Sequence, residues 1–268
     1  MLFLRVFSRF VLILAASFPL FLDSVSPAAA GAFLQGGGEG IVIASGSYSQ
    51  SNLAFDAHGL VRPVSGYRKY ELSTLVEYGY SADMTLIFMP TLRNVRTTGP
   101  AAMTAFGAGL VDLGARTRLA TYRDMVFSVQ GLVRLVPQPD ARLIGENQGQ
   151  AELRLGAGMP YSLLGYDGFV DASAAWLRRS GAFADEAHVD LTVGLQYSPR
   201  VLALWQVFGA SSLGGRLAGA TPRAIKMQSS MVYSLTPEWS LQLGAFSTLT
   251  GLVTRREQGV VTALWRRF

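Results

Sequence analysis

The chain has no cysteine among its 268 residues, which excludes a disulfide framework, a thiolate-held metal and a lipid anchor on an amino-terminal cysteine. Histidine is nearly as scarce. His58 and His188 are the only two, with no H-x-H or H-E-x-x-H spacing to build a metal centre. Charged residues reach only 15%, and the formal net charge of +5 comes without a dense basic run, so nucleic acid is not an expected partner. Half of the residues are hydrophobic, yet beyond residue 30 no apolar run approaches the roughly eighteen or more that mark a membrane-spanning helix.

Residues 1–30 read as a secretory signal peptide. Arg5 and Arg9 supply the positive start, Phe10–Leu22 the apolar core, and Ala28-Ala29-Ala30 the small-residue cleavage site, so the mature chain is expected to begin at Gly31. The apolar core is too short for a spanning helix of about twenty residues. Gly31–Glu39 is expected to be a flexible, glycine-rich periplasmic lead-in, and residues 40–268 the folded unit.

That unit repeats one pattern: a strand of alternating apolar and polar residues, a tight turn, a second such strand, then a longer polar loop. Tight turns fall at Tyr80-Ser-Ala-Asp83, Tyr122-Arg-Asp124, Tyr197-Ser-Pro-Arg200 and Leu235-Thr-Pro-Glu238. Strict alternation puts one set of side chains on each face of a sheet. In strand eight, Val189, Leu191, Val193, Leu195 and Tyr197 alternate with His188, Asp190, Thr192 and Gln196. Short turns on one side, longer loops on the other and a terminal Phe268 predict an all-β, antiparallel transmembrane barrel of an outer membrane, with both termini periplasmic. Twelve strands are counted, with ten as the second choice. Pro90, which cannot donate to a ladder, predicts a bulge in strand three. Strand one is placed at Gly40–Gln50 with a long loop to Gly66, and strand seven at Gly168–Leu177 after a connection spanning Pro160–Asp167.

Parity assigns the charges to the inside. Glu71, Glu77, Arg93, Asp112, Arg116, Arg118, Arg134, Glu152, Arg154, Asp171, His188, Asp190 and Lys226 are the lumen-lining candidates. Their signs nearly balance, so they either pair and fill the lumen or line a wet passage. Aromatic residues gather near strand ends, as interfacial belts require, while parity turns Trp265 and Phe246 inward. No G-x-S-x-G element accompanies either histidine. Gly36–Gly40 follows no strand and opens no helix, so it lacks the setting of a phosphate loop. No catalytic residue, cofactor or metal is expected.

The stretches Glu77-Tyr-Gly-Tyr-Ser-Ala-Asp-Met-Thr-Leu86 and Gly109-Leu-Val-Asp-Leu-Gly-Ala-Arg-Thr-Arg-Leu119 resemble the hairpin and strand motifs of proteobacterial outer-membrane proteins of the "MetA-pathway of phenol degradation" family. The turns at Tyr197–Arg200 and Leu235–Trp239 match that family's repeated style. The resemblance implies a barrel that moves small hydrophobic or aromatic compounds, and it brings no catalytic residues. One departure is Arg266, which stands where barrel C-termini carry an apolar residue two positions before the final Phe.

Three functions follow in order. The first is passive passage of small, hydrophobic or aromatic molecules through an outer-membrane channel. The second is a structural or interaction barrel whose lumen is plugged by salt bridges, and the third an outer-membrane lipid hydrolase. Expected partners are outer-membrane lipid, an unidentified small solute, and the barrel-assembly machinery through the C-terminal strand.

Overall fold

A computed structural model describes residues 31–99, 102–135, 149–180, 184–214 and 220–268. The leader and the loop through Pro137–Gln148 lie outside the described residues. The chain forms β1 (Gly40–Phe55), β2 (Val61–Ser81), β3 (Met84–Thr97), β4 (Met103–Tyr122), β5 (Met125–Leu135), β6 (Gln150–Leu163) and β7 (Tyr166–Arg179). It continues with β8 (Glu186–Ser198), β9 (Val201–Ser212), β10 (Arg223–Ser234), β11 (Trp239–Leu252), the two-residue β12 (Thr254–Arg255) and β13 (Gln258–Arg267). Each long strand pairs antiparallel with its sequence neighbour, and β1 pairs with both β2 and β13, which closes the sheet. Because β12 only extends the rim beside β1, the wall is a closed antiparallel barrel of twelve strands. At the seam the Gly40 and Phe268 backbones exchange hydrogen bonds at 2.8 and 3.0 Å.

Alternation sorts the faces. Leu72, Leu113, Leu153, Leu155, Val189, Met231, Leu243 and Val260 point outward and stay exposed. In water such a surface would be unstable; against hydrocarbon it is the favourable arrangement. The aromatic belt is concentrated at the end bearing the short turns, hereafter the turn end. Tyr80, Tyr122, Tyr166, Tyr197, Tyr233 and Trp239 all flank those turns and are exposed, and the Tyr166 and Tyr197 rings stack at 5.6 Å. Arg266 lies over the Trp239 ring at 5.5 Å, so the departure from an apolar residue near the C-terminus joins this belt. Trp265 and Phe246 face inward, as their parity requires.

Several boundaries differ from the sequence expectation. β1 runs on to Phe55 and β2 starts at Val61, so strands occupy most of the stretch expected as a loop. The turn between them is pinned by Asp56 Oδ1, which accepts from the backbone N–H groups of His58 and Leu60 at 2.8 and 2.9 Å. At 21 and 20 residues, β2 and β4 greatly exceed the nine to eleven needed to cross a bilayer. Their far ends, at what is here the hairpin end, therefore stand clear of the apolar band. Outside lipid both strand faces can be polar, which erases the alternation that reveals strands within it. Pro160 lies inside β6, and the connection to β7 is the two-residue turn Leu164-Gly165, with φ of 53° and 82° at its two positions. Two adjacent positive φ values give the primed turn whose twist suits a hairpin. At Pro90 the β3–β4 register does shift, between Pro90 and Leu92.

The largest departure is at the amino terminus. Residues 31–35, expected to form a flexible lead-in, lie inside the barrel, where Ala32 is fully buried. Two lumen-facing glycines of β6 make room. A Cβ at Gly158 would come within 2.8 Å of the Phe33 ring, and one at Gly156 within 3.2 Å of Ala32 Cβ.

Candidate functional site

The turn-end half of the lumen is filled. Ile41, Phe169, Leu202, Leu204, Val232, Ala263 and Trp265 form a buried apolar cluster on one side, with Phe33 and Ile43 packed against it. The Phe33 and Phe169 rings meet edge to face at 6.1 Å. Trp265 donates its indole N–H to Gln242 at 3.0 Å, which satisfies its polar atom in this setting.

The opposite side of the same half is polar, and the amino-terminal segment is bonded into it. Arg116, on β4, donates to Glu77 Oε1 at 2.9 Å, to Gln130 Oε1 at 2.8 and 3.1 Å, and to the Phe33 carbonyl at 2.8 Å. Gln35 completes the ring: its side chain donates to Glu77 at 2.9 Å, and its backbone N–H donates to Thr85 Oγ1 at 2.9 Å. Asp171, on β7, accepts from the Ala32 N–H. Glu77, Arg116 and Asp171 are all at most 5% exposed. Every bond from the wall to residues 32–35 thus comes from a residue whose side chain points inward.

Nearer the hairpin end, charges alternate along a continuous chain. Asp112 and Arg134 are direct cross-strand partners on β4 and β5 and pair at 3.1 Å. Arg134 also reaches Glu152 at 3.0 Å, Glu152 pairs with Arg154 at 2.8 Å, and Arg154 bonds Asp190 and, at 2.7 Å, Ser173. A second run, beside the first, goes from Arg179 to Glu186 at 2.7 Å and on to His188 at 3.0 Å. Register sets Asp112 opposite Arg134, while Glu152–Arg154 and Glu186–His188 are same-face neighbours two residues apart along one strand.

Across from this chain lies a cavity of about 270 Å³ lined by β1, β2, β9, β10, β11 and β13. Lys69 and Arg93 flank Glu71 at 3.4 and 2.5 Å, while Lys226 pairs with Glu257 at 3.0 Å on the facing wall. Ser45, Ser47, Ser73 and Gln228 add neutral polar groups, and Phe208 and Phe246 supply two rings. The Lys226 side chain is 37% exposed, so water reaches this space. It can hold a small molecule with a polar group against the charges and an apolar face against the rings.

The structure therefore divides the sequence candidates. Glu77, Arg116 and Asp171 meet the amino-terminal segment. Asp112, Arg134, Glu152, Arg154 and Asp190 belong to the charge chain, and His188 to the second run beside it. Glu71 and Lys226 face the cavity. Arg118 is the exception. It lies at the rim, 38% exposed, pairing with Asp83 of the adjacent turn at 3.4 Å and donating to the Ala82 carbonyl at 3.0 Å. Parity gave its face, but its height puts it beyond the lumen. Lys69, which shares parity with Glu71, was available to the same reasoning. Glu257 and Arg179 lie just past the strand ends inferred from sequence, and Phe33 and Gln35 lie in the segment expected to be outside.

A closed twelve-stranded barrel with an apolar outer band and an inward polar face defines the architectural class of outer-membrane barrels. Solved structures agree on that fold. An outer membrane channel from Pseudomonas putida F1 superposes with a TM-score of 0.69 at 15% identity, covering 91% of this chain and all of that one. The NanC porin gives 0.55 at 10% identity, over 83% and 98% of the two chains. The β domain of the Bordetella autotransporter BrkA gives 0.56 at 11%, over 86% and 100%. No family model and no curated protein sequence matches the chain.

Proposed function

We propose that this chain is an outer-membrane channel for small molecules, closed at rest by its own amino-terminal segment. The observation that carries the reading is the division of the lumen. A water-reached cavity fills the hairpin-end half of one side, above an apolar cluster of wall side chains against which Phe33 packs. The rest of the turn-end closure, on the opposite side, is residues 31–35, which form no strand and are held by side-chain bonds. A closure made of an inserted segment can be withdrawn, whereas one built only from wall side chains cannot. The turn end with both termini faces the periplasm, Phe268 marks the strand offered to the barrel-assembly machinery, and the leader is removed near Ala30. The cavity's mixture of rings and charges suits a small solute with an apolar or aromatic body and a polar group, and passage is passive, without catalysis.

A second reading rests on the charge chain. Its charges are paired from Asp112 to Asp190, as in a barrel that is filled for rigidity. Planar-bilayer recording and solute-driven vesicle swelling separate the two. The channel reading expects transient openings in the intact chain and steady conductance once residues 31–36 are deleted. A barrel that folds, as judged by heat-modifiable gel mobility, yet stays silent with and without the segment is a structural one.

A further inference from the structure

Asp171 is a carboxylate buried to 4% exposure whose hydrogen bond comes from a neutral donor, the Ala32 N–H. The arginines nearest on the wall are committed elsewhere: Arg116 pairs with Glu77, and Arg154 with Glu152 and Asp190. A buried carboxylate with one uncharged donor is costly, and a cation beside it is the usual remedy. Gly31 lies directly against this carboxylate. A Cβ built on Gly31 would overlap both Asp171 oxygens, and its φ of +70° independently favours glycine, so its Cα touches the acid and its nitrogen is one bond further. In the precursor that nitrogen is an uncharged amide. Hydrolysis of the Ala30–Gly31 amide by an export peptidase adds water across the bond. Ala30 leaves as a carboxylate, and the Gly31 nitrogen takes up protons to become an ammonium.

We propose that Asp171 is the receptor for the mature amino terminus: the α-ammonium of Gly31, created by leader removal, pairs with the Asp171 carboxylate inside the lumen and locks residues 31–35 in place as the inner closure. The small-residue cleavage site read from sequence and the glycine-only space beside a buried acid point to the same bond without depending on each other. The idea rests on the exported-barrel reading, and leader removal thereby becomes the step that makes the closure complete. Arg116, through the Phe33 carbonyl, and Gln35, through Thr85, hold the segment further along. The pair at Asp171 anchors its tip.

The test uses the full chain, exported in a Gram-negative host and extracted from the outer membrane into detergent. Intact mass should give Gly31 as the first residue. Brief acetylation at neutral pH, read on the amino-terminal peptide, reports how much of the α-amine is free. An adjacent opposite charge favours the unreactive ammonium, so the folded chain should react at least about tenfold more slowly than the urea-unfolded chain. Asp171→Asn should restore rapid acetylation in the folded barrel. Should that variant fail to fold, insertion of Gly-Ser between Ala30 and Gly31 leaves Asp171 intact, displaces the ammonium from it and should restore reactivity equally. A chain recovered uncleaved from the cytoplasm overturns both this pairing and the exported-barrel reading. A chain cleaved before Gly31 in the outer membrane, with an α-amine as reactive folded as unfolded, overturns the pairing alone.

Discussion

Arg116 donates to the Phe33 carbonyl at 2.8 Å, so a side chain of the barrel wall holds a backbone group of the segment inside it. The same guanidinium neutralises Glu77, which is 3% exposed. Arg116→Ala therefore has two expected effects. Leaving Glu77 buried and unpaired should lower stability by about 3–5 kcal/mol, measured by urea titration in micelles or vesicles. Freeing the segment should increase the open time in bilayer recordings. Replacing both partners, with Glu77→Gln and Arg116→Met, should recover most of the stability and keep the longer openings, because no lone charge remains. A double variant as unstable as Arg116→Ala would place the main contribution in Gln130 and Phe33 instead.

The lipid face and the lumen should respond oppositely to a new charge. Leu191 is 40% exposed on the outer face, and arginine there should cost roughly 2–4 kcal/mol near the bilayer midplane. Ser45 borders the cavity, and Ser45→Arg should be nearly neutral in the same folding assay. Thr192, although also inward, is only 6% exposed and accepts from Gln206 at 3.3 Å, so it has no such room. Equal losses from Leu191→Arg and Ser45→Arg would contradict the assigned faces.

Ion preference should be set at the cavity rather than along the charge chain. Lys69→Glu with Lys226→Glu reverses the two lysines there and should shift the reversal potential of the segment-deleted barrel toward cations in a salt gradient. Arg134→Glu is expected to act on folding instead. It would set a third carboxylate beside Asp112 and Glu152, which are 2% and 4% exposed. A selectivity unchanged by the lysine pair would remove the cavity from the conducting path.

Leu164 carries a strained turn conformation, with φ of 53° and 90% exposure. An L-residue in the left-handed region costs roughly 1–2 kcal/mol, less for asparagine. Leu164→Asn should accordingly raise stability by up to about 1 kcal/mol. A loss would mean that the leucine anchors the turn in the membrane interface and that this gain exceeds the strain.

The barrel was legible because alternation with period two is imposed wherever one face meets lipid and the other does not. Strand eight shows it from Val189 to Tyr197. The signal stops where that asymmetry stops, which is why Ser51–Phe55 and Val61–Gly66 looked like loop. Parity also identifies a face without fixing height along the axis, so Arg116 and Arg118 read alike though one is buried and the other at the rim. The insertion of residues 31–35 left no periodic trace. Its determinants are distant: glycines at positions 156 and 158, which no local pattern marks, and Asp171, which parity places in the lumen without showing what it meets there.

The backbone bonds between Gly40 and Phe268 shut the barrel immediately beside the point where the amino-terminal segment turns inward. Once that seam zips, residues 31–35 are enclosed on all sides by covalent hairpins and ladder bonds, and the mouth of the turn end is the way left to them. Two routes of assembly are open: either the segment is already curled against β6 and β7 when the first and last strands meet, or it enters past a rim of tight turns afterwards. The first route makes the tip a template around which the sheet curls. Truncating it would then change the speed of barrel closure as well as the permeability of the finished wall.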